Sequence, residues 1–161
     1  MDISFEIRNE KDDIICVVLS YYDALSLGSI TTNPAILSLN IYDVTLWRKS
    51  GSGNVGHKVL NAVCKKLMEI IKQSNDTIFC FVCDFSTDVP RRHRDMSPQE
   101  YRSNLFTRMF ESFARHNDVY DLVNDVNIYE DNGEKRYFHF ICSLKYLNEI
   151  HTLRDILMES R

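Results

Sequence analysis

The chain has 161 residues, 44% apolar and 26% charged, with a formal net charge of −4 and a pI near 5.7. That mixture suits a single domain over residues 1–161 with a sizeable core, and it excludes a low-complexity chain or one whose whole surface tracks nucleic acid. No run of about 18 apolar residues occurs, and Met1-Asp2-Ile3-Ser4-Phe5-Glu6 has neither the basic flank nor the apolar stretch of a secretory leader, so the expectation is a cytoplasmic protein without a membrane partner.

Ile3–Arg8 and Asp13–Tyr22 read as two strands around the charged turn Asn9-Glu10-Lys11-Asp12, the second carrying the β-prone run Ile14 to Leu19. After a looser stretch with Gly28, Asn33 and Pro34, alternation over Ile36–Trp47 predicts a strand covered on both faces. Leu37, Leu39, Ile41 and Asp43 fall on one side, with Tyr42, Val44 and Leu46 on the other. From Asn54 the period lengthens. Val55, Val59, Val63, Leu67, Ile70 and Ile71 recur at helical steps, with Lys58, Lys65, Lys66, Glu69 and Lys72 opposite, until Asn75 and Asp76 end the helix. Thr77–Asp84 is a nearly continuous apolar run, as expected of a central strand, so strand, helix and strand follow in the order of a parallel pair.

Residues 85–96 form a polar loop, and Ser97-Pro98-Gln99-Glu100 then has the composition of a helix start, with a capping hydroxyl, a proline at the first position and an acid at the third. Tyr101, Leu105, Phe106, Met109, Phe110 and Phe113 make its apolar face. A hairpin follows, Leu122–Glu130 and Lys135–Leu144, around Asn132-Gly133, a pair that favours a type I′ turn. Tyr146–Glu159 closes as a helix. The expected fold class is α/β (α+β), with a single mixed, mainly antiparallel sheet flanked by helices and a C-terminal helix.

Several groups invite chemistry. Trp47 to Gly56 is rich in glycine and opens the long helix, where first-turn amides lack partners. It reads either as a flexible connection or as an anion cradle assisted by Arg48, Lys49 or Lys58. Arg91, Arg92 and Arg94, with His93, form the densest basic run, a site for an anion or nucleic acid. Asp84, Asp88 and Asp95 dilute its field, and a solvated loop is the other reading. Five cysteines lie within predicted elements as buried apolar residues. Cys80 and Cys83 would face opposite sides of their strand, so no metal is expected. No serine or cysteine can be paired with any histidine by spacing.

The order of strands, glycine-rich turn, helix, strand, helix and two final strands resembles the GNAT superfamily of N-acetyltransferases. That family's turn carries Arg/Gln-x-x-Gly-x-Gly/Ala, a pattern met by Arg48-Lys49-Ser50-Gly51-Ser52-Gly53. The resemblance implies acetyl-CoA as cofactor, its pyrophosphate held by Arg48, Gly51, Gly53, Asn54, Val55 and Gly56. In a second register Gly56 takes the place of the second glycine and Asn54 that of the first. Asp43 and Asp84, by position, are the candidate catalytic carboxylates for deprotonating an amine. Ser103–Phe110 resembles the family's Asn-x-x-Ala stretch, but Glu111 stands where a tyrosine general acid is common. The segment Asn54–Val63, together with Arg102, Leu105 and Phe106, is also similar to an uncharacterised family of small bacterial proteins with the same scaffold and no assigned activity.

Two functions follow as expectations. One is a divergent acyltransferase with acyl-CoA and an unknown acceptor as partners. The other is a non-catalytic protein- or nucleic-acid-binding module using Arg91 to Arg94. A homo-oligomer would form through the final hairpin or the closing helix, neither of which carries a sustained heptad.

Overall fold

The computed structural model describes residues 2–29, 31–51, 57–83 and 96–159. Their elements, in chain order, are β1 (Ile3–Arg8), β2 (Ile14–Tyr21), α1 (Ala24–Gly28), α2 (Pro34–Leu37), β3 (Asn40–Ser50), α3 (His57–Gln73), β4 (Thr77–Cys83), α4 (Pro98–His116), β5 (Leu122–Asp131), β6 (Glu134–Ser143), a 3-10 turn (Leu144–Tyr146) and α5 (Leu147–Glu159). The strands form one mixed sheet in the order β1-β2-β3-β4-β6-β5, in which only β3 and β4 run parallel. It is the α+β architecture expected from the pattern.

Each face of the sheet has its own core. On one, Val63, Cys64, Leu67 and Ile71 of α3 and Phe106 and Phe110 of α4 pack on Val17, Leu19, Val44, Phe79 and Ile141. On the other, α1, α2 and α5 contribute Leu27, Ile36, Ile150 and Leu153 over Ile41, Ile78, Cys80, Phe138, Phe140 and Cys142. Two-sided cover explains why β4 reads as an unbroken apolar run, whereas β1, at an edge, alternates half-buried and exposed residues.

Local chemistry accounts for most boundaries. The β1–β2 turn is an Asx-type closure: Asn9 Oδ1 accepts from the amides of Lys11 and Asp13, both at 2.9 Å. Ser97 Oγ accepts from Glu100 N at 3.3 Å and Pro98 takes the first position of α4. In the β5–β6 turn Asn132 and Gly133 both have positive φ, 53° and 80°, as a type I′ turn requires.

The strand expected over Ile36–Trp47 is corrected at both ends. Asn33 Oδ1 accepts from Ala35 N at 3.0 Å and Pro34 fits the first turn, so Pro34–Leu37 coils as α2 and the strand begins at Asn40. It then continues to Ser50, where Leu46 and Trp47 are exposed rather than covered. Asp23 caps α1 in the same manner, accepting from Ser26 N at 2.7 Å.

Candidate active site

The parallel pair is short. β3 and β4 are in register from Asn40↔Thr77 to Asp43↔Cys80, and there the ladder stops. Both strands nevertheless stay in the sheet: β3 remains paired with β2 as far as Ser50, and β4 with β6 as far as Cys83. The two halves of the sheet therefore diverge at Asp43 and Cys80, leaving a fork that opens toward the carboxyl ends of the parallel strands, the usual ligand edge of such a pair. Among the described residues, Val44–Ser50 and Phe81–Cys83 do not pair with each other. The connections to α3 and α4 both leave from this edge.

Asp43 stands at the crotch of the fork. Its side chain is half-buried, and among the described residues it has neither a hydrogen bond nor an ion pair, so burial alone drives its carboxyl above the ordinary carboxylate range. Opposite it the Cys80 thiol donates to Tyr42 O at 3.5 Å, and its pKa is raised first by burial and then by the Asp43 charge. Phe81 turns toward α4, stacking on His139 with centroids 4.5 Å apart and meeting the edge of Phe106. Trp47 stays 49% exposed.

The start of the glycine-rich turn is tied down from below. Arg48 Nη1 donates to Asp13 Oδ1 at 2.9 Å, and Asn9 Nδ2 donates to the same carboxylate at 2.8 Å. Gly51 lies against this cluster with φ 97°, so a Cβ there would fall onto the Asp13 carboxylate and within 2.9 Å of its Cα. Gly51→Ala is accordingly expected to destabilise the fold by about 2 kcal/mol or more, from the left-handed backbone and the overlap together, as measured by a lower urea midpoint. Lys49 is engaged with Glu6 at 2.6 Å and Lys58 with Glu10 at 2.9 Å. Gly53, Asn54, Val55, Gly56, Asp84, Arg91, Arg92 and Arg94 lie outside the described residues.

Spacing gave no serine for any histidine, yet the fold supplies one. His139 of β6 is wholly buried, with Nε2 at 2.8 Å from Ser103 Oγ of α4 and Nδ1 at 2.9 Å from Asn124 Oδ1 of β5. Asn124 Nδ2 donates to Thr107 Oγ1 at 3.2 Å, which makes its Oδ1 the acceptor, puts the proton on Nδ1 and leaves Nε2 to accept from Ser103. The order serine, histidine, amide is that of a nucleophile with its base, but Ser103 is 2% exposed and packed under the helix, out of reach of any substrate. It acts as a polar brace joining α4 to the last two strands. Burial lowers the His139 pKa to about 4, against the smaller opposing pull of Asp125. A second buried polar contact, Gln99 Nε2 to Lys135 O at 2.9 Å, fixes the start of the same helix.

All five cysteines are buried thiols, and among the described residues no group of three or more His, Cys, Asp or Glu is placed to hold a metal. No helix among them is long and apolar enough to cross a membrane. No protein-family model, curated protein or solved structure matches the chain.

Proposed function

We propose that the chain is an acyl-CoA-dependent N-acyltransferase that uses the fork between β3 and β4, with acetyl-CoA as donor and an amine as acceptor. The observation that carries this reading is the divergence, at a desolvated carboxylate, of the one parallel pair among the described residues. A gap in the ladder leaves main-chain donors beside a base, the pair of functions that acyl transfer needs.

The coenzyme would supply a thioester carbonyl as the electrophile, the C–N bond to the amine forming as the C–S bond breaks and the coenzyme leaving as its thiol. Asp43 takes the proton that the acceptor amine loses, and burial, by raising its pKa, makes it a stronger base than an exposed aspartate. Main-chain amides of β3 beyond Asp43, no longer engaged by β4, stabilise the charge that develops on the carbonyl oxygen. Arg48 and Gly51 set the exit of the turn through Asp13. The pyrophosphate then falls to Gly53–Gly56 and the first turn of α3.

Titrating acetyl-CoA into the full chain by calorimetry tests the reading. Saturable binding is expected, and Gly53→Asp or Gly56→Asp, which set a carboxylate against the pyrophosphate, should abolish it while leaving the circular dichroism spectrum unchanged. An absence of binding by the wild-type chain would overturn the proposal.

A further inference from the structure

The two edges of the sheet are built differently. β1 is six residues long and exposes Ser4, Glu6 and Arg8, with Glu6 held by Lys49 and Arg8 by Asp12. Such short, charged, occupied strands protect a sheet from further pairing. At the other edge β5 runs ten residues, follows β6 from Leu122↔Ser143 to Asp131↔Glu134 without a bulge, and has neither lysine nor proline. Among the described residues no strand pairs with its outer side. Val126 and Ile128 project from it 38% and 57% exposed, on the face of the sheet that carries α4.

The hairpin fixes which main-chain groups point outward. A two-residue type I′ turn makes Asp131 and Glu134 a hydrogen-bonded pair, so the odd-numbered residues of β5 bond inward to β6, in keeping with Asp121 O accepting from Leu144 N at 2.8 Å. Asn124, Val126, Ile128 and Glu130 consequently aim their amides and carbonyls away from the molecule.

We propose that β5 is a self-association edge, on which a second copy of this chain docks its own β5 antiparallel to extend the sheet. Pairing Val126 with Ile128 of the second copy uses outward-facing groups on both strands and gathers the two valines and two isoleucines into one apolar cluster. The same register sets Asp125 opposite Tyr129, Glu130 opposite Asn124 and Asp131 opposite Val123, so no carboxylate faces another. Moving it by two residues toward the turn brings Asp125 against Asp131, and moving it the other way brings Asp121 against Asp131. Charge therefore selects the register that buries the exposed side chains. Asn127 lies on the two-fold axis as a non-hydrogen-bonded pair, its Cα about 4.5 Å from its symmetry mate.

Sedimentation velocity of the full chain, with engineered disulfides, tests this directly. A dimer that grows with concentration is expected, lost in Ile128→Lys without change in the circular dichroism spectrum. Asn127→Cys should cross-link two copies on mild oxidation, since the separation lies within the disulfide range of about 4.4–6.8 Å, whereas Glu130→Cys, opposite Asn124, should not. A wild-type chain that stays monomeric at concentrations near the millimolar overturns the proposal. So does a dimer that survives Ile128→Lys and leaves Asn127→Cys uncross-linked, because it would use another surface.

Discussion

Asp43→Asn is expected to lower the rate of acyl transfer by about 10²–10⁴-fold, while acetyl-CoA affinity changes little. Asparagine keeps the volume of aspartate, and the backbone ladder that ends at this residue does not depend on the carboxylate. What disappears is the group that accepts the amine proton. The pH profile separates this role from a structural one. Catalysis requires Asp43 ionised, so the wild-type kcat/KM should fall as pH drops through its pKa. Because burial raises that pKa, the acid limb should lie above the range of an exposed aspartate. The asparagine variant should retain a low rate without that limb. A variant with the wild-type rate would place the base elsewhere and remove Asp43 from the mechanism.

Acidification from neutral pH to pH 4 should cost the fold about 3 kcal/mol through His139 alone, which is roughly 2.5 pKa units at about 1.4 kcal/mol each. The sign follows from protonation. The unfolded chain takes up a proton near pH 6.5 and the folded one only near 4, so stability fully present above 6.5 is lost as pH falls between these values. The cause is structural as well as solvational. A protonated ring would have to donate from Nε2, and Ser103 would have to give up the hydrogen bond it donates there. His139→Leu should lower stability at pH 7 by about 2–4 kcal/mol, since Ser103 and Asn124 each lose a buried partner. The same variant should lose less than wild type on going to pH 4. Urea midpoints of both proteins at the two pH values measure this; parallel losses would show that other groups govern the acid response. Against a total stability of about 5–15 kcal/mol, either effect is large.

Elements whose signals are local were legible in the sequence. The α3 stripe of Val59, Val63, Leu67 and Ile71, the Ser97-Pro98 start of α4 and the Asn132-Gly133 turn each rest on interactions within a few residues, and each forms as read. The helix α2 escaped because four residues carry no period, although Asn33-Pro34 was already a capping signal. Long-range features were beyond such signals. Ser103 and His139 lie 36 residues apart, and only their inward positions, on the Phe106 face of α4 and beside Tyr137 and Ile141 in β6, hinted at a buried pair. Asp43 is a candidate by position alone, on the strand that leads into the glycine-rich turn. The end of the parallel ladder beside it depends on how two sheet halves twist apart, and no run of residues encodes that.

The thiols give the molecule internal markers of opening. Cys64 in α3 lies under one face, Cys80 and Cys142 under the other, and burial drives the first and last to about 11 and about 12, where almost no thiolate exists at neutral pH. An alkylating reagent can therefore modify each only when its own layer lifts. The rate at which one helix separates from the sheet can then be timed independently of the rate on the opposite side, without adding a probe.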